Sequence, residues 1–124
     1  MRFVVALCLA LLPALPAGAE TLTGRARVVD GDTLDIAGDT VRLFGIDAPE
    51  HGQICERADG SGWGCGDWAA KELGRRVRGS RVTCKGDERD RYGRLVASCA
   101  VNGADIAEGL VRDGAAFAYL KYSQ

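Results

Sequence analysis

The chain has one histidine, His51, and its cysteines stand at long spacings, so no zinc-type ligand pattern can be drawn through it. It also lacks an excess of either charge: 16 Lys and Arg stand against 17 Asp and Glu. A chain so balanced does not coat anionic polymers by bulk charge, and any phosphate recognition must come from placed groups. Long apolar runs are missing too. The longest, from Phe3 to about Leu15, is shorter than the roughly 18–20 residues of a bilayer span, and Pro13 and Pro16 break it. No internal repeat, linker or low-complexity stretch appears, which leaves one compact unit.

What is present begins with Met1-Arg2, an apolar middle and the small-residue exit Ala17-Gly18-Ala19. That order is expected of a secretory leader cut after Ala19. The expectation is therefore a leader over 1–19 and one domain over 20–124, secreted or periplasmic, monomeric and without a membrane attachment after cleavage. Loss of Arg2 leaves 15 basic residues against 17 acidic. Cys8 departs with the leader. Cys55, Cys65, Cys84 and Cys99 remain, and an even count in a small exported domain reads as two disulfides.

Along the chain, "LTGRARVV" (22–29), "TLDIA" (33–37) and "TVRLFGI" (40–46) read as strands, with turns at "DGD" (30–32) and "GD" (38–39). Residues 47–64 read as loop. A helix is expected over 65–79 with Asp67 as N-cap and Gly79 as stop. Strands follow at 80–85 and 93–101 around a polar connection, then a short helix over 104–114 and an irregular tail. Five short strands with inserted helices predict a mainly β fold, a small five-stranded barrel of the oligonucleotide/oligosaccharide-binding (OB) type with two helices. Cys84 and Cys99 flank the polar connection symmetrically, so they could face each other across it. By exclusion, Cys55–Cys65 would then pin the long loop.

In an up-down-up meander the first turn and the exit of the third strand share one end of the sheet. Asp30 and Asp32 lie in that turn, Asp47 and Glu50 at that exit. Carboxylates gathered this way repel unless a cation neutralises them, and hard oxygen donors suit Ca²⁺ or Mg²⁺. An EF-hand is excluded: counted from Asp30, its fifth and twelfth positions are Leu34 and Val41. The plain alternative is a turn and a strand-end cap. Arg42, inside a strand, is either an ion-pair partner or a guanidinium fork for phosphate. It lies roughly 15 Å behind Asp47 along an extended strand, so its side chain must lean forward or the strand must bend near Gly45. "DRYGR" (90–94) delivers Arg94 at the start of a strand.

"VVDGDTLDIAGDTVRLFGIDAPE", "DRYGR" and "GLVRDGAAFAY", in that order, resemble the staphylococcal nuclease-like (thermonuclease) family, over roughly 25–122. The resemblance implies an OB barrel that cleaves DNA and RNA using Ca²⁺ and leaves 3′-phosphate ends. It implies Asp32 and Asp47 as metal ligands, with the Ala48 carbonyl beside them and Asp30 nearby or acting through water. It makes Glu50 the general base and Arg42 and Arg94 the phosphate-binding catalytic arginines, with Tyr92 and Tyr119 near the nucleotide. Ala48 stands where the best-known member has threonine, the loop 51–64 differs, and the final helix of longer members has no counterpart before Gln124. The rival expectation is a non-catalytic OB module that grips single-stranded nucleic acid or another anionic polymer.

Overall fold

The computed structural model describes residues 18–119, together with Pro13. Apart from Pro13, Gly18 and Ala19, the expected leader lies outside the described residues, as do residues 120–124. Five strands close into a barrel: β1 (Glu20–Asp30), β2 (Thr33–Ile36), β3 (Asp39–Leu43), β4 (Arg81–Arg89) and β5 (Leu95–Val101). β1 pairs antiparallel with β2 and β4, β2 with β3, and β4 with β5. A parallel pairing of β3 with β5 shuts the ring. The five-stranded barrel with two helices agrees with the expectation.

Period-two burial explains the strands. Leu34 and Ile36 in β2, Val41 and Leu43 in β3, Val82 and Cys84 in β4, and Leu95, Ala97 and Cys99 in β5 all point inward and are buried. Helix α1 (Cys65–Val77) lays Ala69, Leu73 and Val77 on the same core, one turn apart. Helix α2 (Ile106–Arg112) adds Ile106, Ala107 and Leu110. A buried carboxylate links the two helices. Glu72 holds Arg75 at 2.7 Å and Arg76 at 3.2 Å, and Arg76 also donates to the Gly109 carbonyl at 3.1 Å and pairs with Asp113.

Several boundaries differ from expectation, each for a local reason. The β2–β3 turn is Ala37–Gly38, both with positive φ (54° and 83°), a two-residue hairpin turn with Asp39 already in β3. β4 runs on to Arg89 because Gly86 sits at a register shift, where a Cβ would lie 2.1 Å from the Val96 carbonyl oxygen. Asp67 is not the N-cap of α1. Gly64 holds that place without a side-chain bond, and Asp67 lies in the first turn. α2 is shorter at its start because Ala104–Asp105 still pair with β5, and Asp105 caps the helix by accepting from Glu108 N at 2.8 Å. The long loop contains a small pairing of Cys55–Glu56 with Gly62–Trp63. The described tail is not irregular throughout: Phe117–Ala118 pair with Ile46–Asp47.

Both disulfides are present. Cys84–Cys99 joins directly opposed residues of β4 and β5, and Cys55–Cys65 ties the long loop to the start of α1.

Candidate active site

Arg42 reaches the first turn because of register. It faces Thr33 across the β2–β3 pair, and the next residue, Leu43, donates its N–H to the Asp32 carbonyl at 2.9 Å. Beyond Leu43 the strand breaks at Gly45, whose φ of +77° folds the chain so that Ile46–Asp47 pair with the tail instead of continuing β3. This bend removes the 15 Å problem. One guanidinium nitrogen of Arg42 lies 3.3 Å from Asp32 Oδ2 and 3.4 Å from Asp47 Oδ1, while the other donates to the Leu43 carbonyl at 3.0 Å.

Asp32 is buried, at 7 % exposure, so its ionised form needs partners. It has three: the Thr33 hydroxyl at 2.9 Å, Ala48 N at 3.0 Å, and Arg42. Gly31 permits this closeness, since a Cβ there would meet Ala48 Cβ at 2.9 Å and Ala69 Cβ at 3.0 Å. Asp47 is more exposed. Its pKa is raised, first by partial burial and then by the charge of Asp32, with Arg42 pulling it back.

Two like-charged carboxylates crowded in this way suit a hard divalent cation. Among the described residues, however, no group of three or more His, Cys, Asp or Glu side chains could hold one. The Asp32–Asp47 pair supplies two carboxylates, so a cation held there would need its remaining oxygens from backbone and water. Asp30 is occupied elsewhere: its Oδ1 accepts from Gly31 N at 3.0 Å and His51 N at 2.7 Å.

Arg94 arrives from the opposite side of the barrel seam. Asp90 organises its turn, accepting from Tyr92 N and Arg94 N at 3.0 Å each and from Arg94 Nε at 2.6 Å. Burial works against ionised Asp90, yet the side-chain and backbone bonds from Arg94, with that from Tyr92, hold its pKa below the ordinary value. The guanidiniums of Arg91 and Arg94 lie over the exposed Tyr92 ring, 4.9 and 5.2 Å from its centroid. Arg42 and Arg94 line one groove of about 260 Å³, together with Phe44, Glu88, Asp90 and Tyr119. The groove exists because β3 and β5 are neighbours.

Glu50 stands outside that lining, on an exposed loop, and makes no ion pair among the described residues. Its backbone is held firmly. Gln53 Oε1 accepts from Glu50 N at 3.0 Å, and Gln53 N donates to the Glu50 carbonyl at 2.9 Å. Asp67 Oδ1 accepts from Gly52 N at 3.0 Å. His51 presents an exposed side chain, with Nε2 3.7 Å from Asp67 Oδ1. The structure thus brings Asp32, Arg42 and Asp47 into contact and sets Arg94 and Tyr119 around the same groove. It places Ala48 against Asp32, and leaves Glu50, Asp30 and Tyr92 at the margin. Gln53, Gly66 and Asp67, which fasten the loop, carry no signal in the sequence beyond residue type.

A closed five-stranded barrel with two arginines and paired carboxylates at one end belongs to the OB class of ligand-binding barrels. Residues 40–124 match the staphylococcal nuclease homologue family, and the chain belongs to that family. It is 42 % identical over 116 residues to the succinoglycan biosynthesis protein ExoI of Rhizobium meliloti (strain 1021), covering 91 % of this chain and 61 % of that one. It is 34 % identical over 102 residues to an uncharacterized endonuclease of Escherichia coli, covering 78 % and 60 %. Against endonuclease YncB of Bacillus subtilis (strain 168) identity is 33 % over 97 residues, covering 73 % and 44 %. The chain spans about three fifths of the length of the first two relatives.

Proposed function

We propose that the protein is an exported nuclease that hydrolyses phosphodiester bonds of DNA or RNA with Ca²⁺. The observation that carries this reading is the shared groove: Arg42 and Arg94, 52 residues apart in sequence, line one depression beside the Asp32–Asp47 pair. The endonuclease names of two relatives support the reaction class. Two disulfides and the leader-like start support an oxidising compartment, periplasmic or extracellular.

Asp32 and Asp47 would hold Ca²⁺ with the Ala48 carbonyl, and Asp30 through water. When bound, the ion supplies positive charge beside a phosphate oxygen. Glu50 accepts a proton from water as the water oxygen bonds to phosphorus. The bond from phosphorus to the 5′-oxygen breaks, the leaving oxygen takes a proton from solvent, and a 3′-phosphate end remains. Arg42 gives up its carboxylate contacts for a phosphate oxygen, and Arg94, propped by Asp90 and Tyr92, donates to another. Both neutralise charge that grows as water adds. Tyr92 and Tyr119 flank the nucleotide.

Incubation of the purified, oxidised protein with DNA and with RNA, in added Ca²⁺ or in chelator, tests this. Cleavage that needs Ca²⁺ is expected, and intact nucleic acid under both conditions would overturn it. A second reading, a non-catalytic module for an anionic polymer, has its own support. Arg42 is engaged by two carboxylates in this structure, and one relative is named for polysaccharide biosynthesis. Strand binding that persists in chelator without cleavage would favour that module.

A further inference from the structure

Three successive backbone N–H groups in the loop after β3 are each taken by a side-chain oxygen from a different place in the chain. Glu50 N donates to Gln53 Oε1 at 3.0 Å, His51 N to Asp30 Oδ1 at 2.7 Å, and Gly52 N to Asp67 Oδ1 at 3.0 Å. An exposed loop can satisfy such groups with water, and each protein partner gives up side-chain freedom to replace it. The other side of the loop is fixed as well. Gly66 N donates to the Gln53 carbonyl at 3.1 Å, and a Cβ at Gly66 would lie 1.8 Å from the Glu50 carbonyl oxygen. The Cys55–Cys65 bridge secures the same two segments.

All of this fixes the backbone of residues 50–53, and Glu50 within that stretch has an exposed carboxylate that makes no ion pair among the described residues. The chain spends its ordering on where Glu50 is mounted and leaves the side chain open to solvent.

We propose that Gln53, Asp30 and Asp67 form a backbone clamp that sets the direction of the Glu50 carboxylate, with Gln53 and Asp67 acting as positioning residues. The clamp rests on the reading of Glu50 as proton acceptor. Its energetic logic is alignment: a displacement of about 1 Å at a reacting group can cost on the order of 100-fold in rate. Asp67 therefore acts through geometry, not charge, and Asp67→Asn, which keeps an oxygen acceptor, preserves the function.

The test compares Glu50→Gln, Gln53→Ala, Asp67→Ala, Asp67→Asn and the Gln53→Ala/Asp67→Ala pair in the full oxidised chain. Amide hydrogen exchange at residues 50–52 is the first readout and needs no activity. Exchange is expected to be slow in the parent and in Asp67→Asn, and faster in both alanine variants. Steady-state cleavage is the second. The paired variant should lose about tenfold or more in kcat, with KM within about twofold, and the same pair in the Glu50→Gln background should lose nothing further. Fast exchange in the parent overturns the clamp, as does a paired variant with parental kcat. An equal loss with and without Glu50 also overturns it, because the residues would then act elsewhere. Glu50→Gln as active as the parent removes the proton-acceptor reading itself, and the clamp with it. An inactive Glu50→Gln beside a fully active paired variant removes the clamp alone.

Discussion

Arg42 serves two carboxylates at once, and its side chain is only 19 % exposed. Replacing it with alanine leaves Asp32 and Asp47 facing each other without a shared counter-charge. The expected loss of stability is on the order of 1–2 kcal/mol, discounted from a fully buried pair because Asp47 is half exposed. Thermal unfolding of Arg42→Ala measures it, and cleavage by the same variant should fall at least ~100-fold. Asp90 makes a separate prediction about pH. Its folded pKa is lowered, so its stabilising contribution is complete above the ordinary aspartate value near pH 4 and is lost as pH falls through the lower folded value. Melting curves of the parent and Asp90→Asn should therefore lie apart near neutrality and converge in acid. A gap unchanged between about pH 6 and pH 2 would contradict the assignment.

Elements were legible where a period or a turn residue wrote them into the chain. Alternation exposed the strands, Trp68, Leu73 and Val77 marked α1, and the shared end of a meander gathered Asp30, Asp32, Asp47 and Glu50. The contact of Arg42 with Asp32 and Asp47, by contrast, came only with the bend at Gly45. What stayed hidden depends on backbone meeting backbone. The extension of β4 hangs on Gly86 lying against the Val96 carbonyl, a contact with no local signature. Asp67 stands inside the first turn of α1 rather than at its cap, and its acceptor is taken by Gly52 N of the loop packed on that helix start, 15 residues away in sequence. The pairing of Phe117–Ala118 with Ile46–Asp47 is invisible to any short window. Gly86→Ala should consequently be costly, about 1–3 kcal/mol by the measure of overpacked sites, in chemical denaturation. Glycines at open turns, such as Gly103, have empty space around them and lack that steric term.

The whole molecule holds a small core and two covalent braces. Cys84–Cys99 closes a loop of 15 residues, and replacing both with serine should remove roughly 3 kcal/mol. Urea unfolding of the oxidised protein and the double variant reads this directly. The near-zero net charge sets the salt response. With Arg42 and Arg94 as the two phosphate contacts, log affinity for a single strand should fall with log salt at a slope of about −1.4, far shallower than for a basic coat protein. Filter binding in chelator would measure it, and a steep slope would mean that further cations take part.

The parallel seam between β3 and β5 joins residues 41–43 to residues 95–97, so the two arginines become neighbours only when the ring is complete. A chain synthesised only as far as β4 carries Arg42 without Arg94 and has no groove. Any nick or strand slip that opens the seam separates the pair. On the proposed nuclease reading, folding itself is thus the safety catch, and a half-made or damaged copy would lack the paired arginines that the reaction needs.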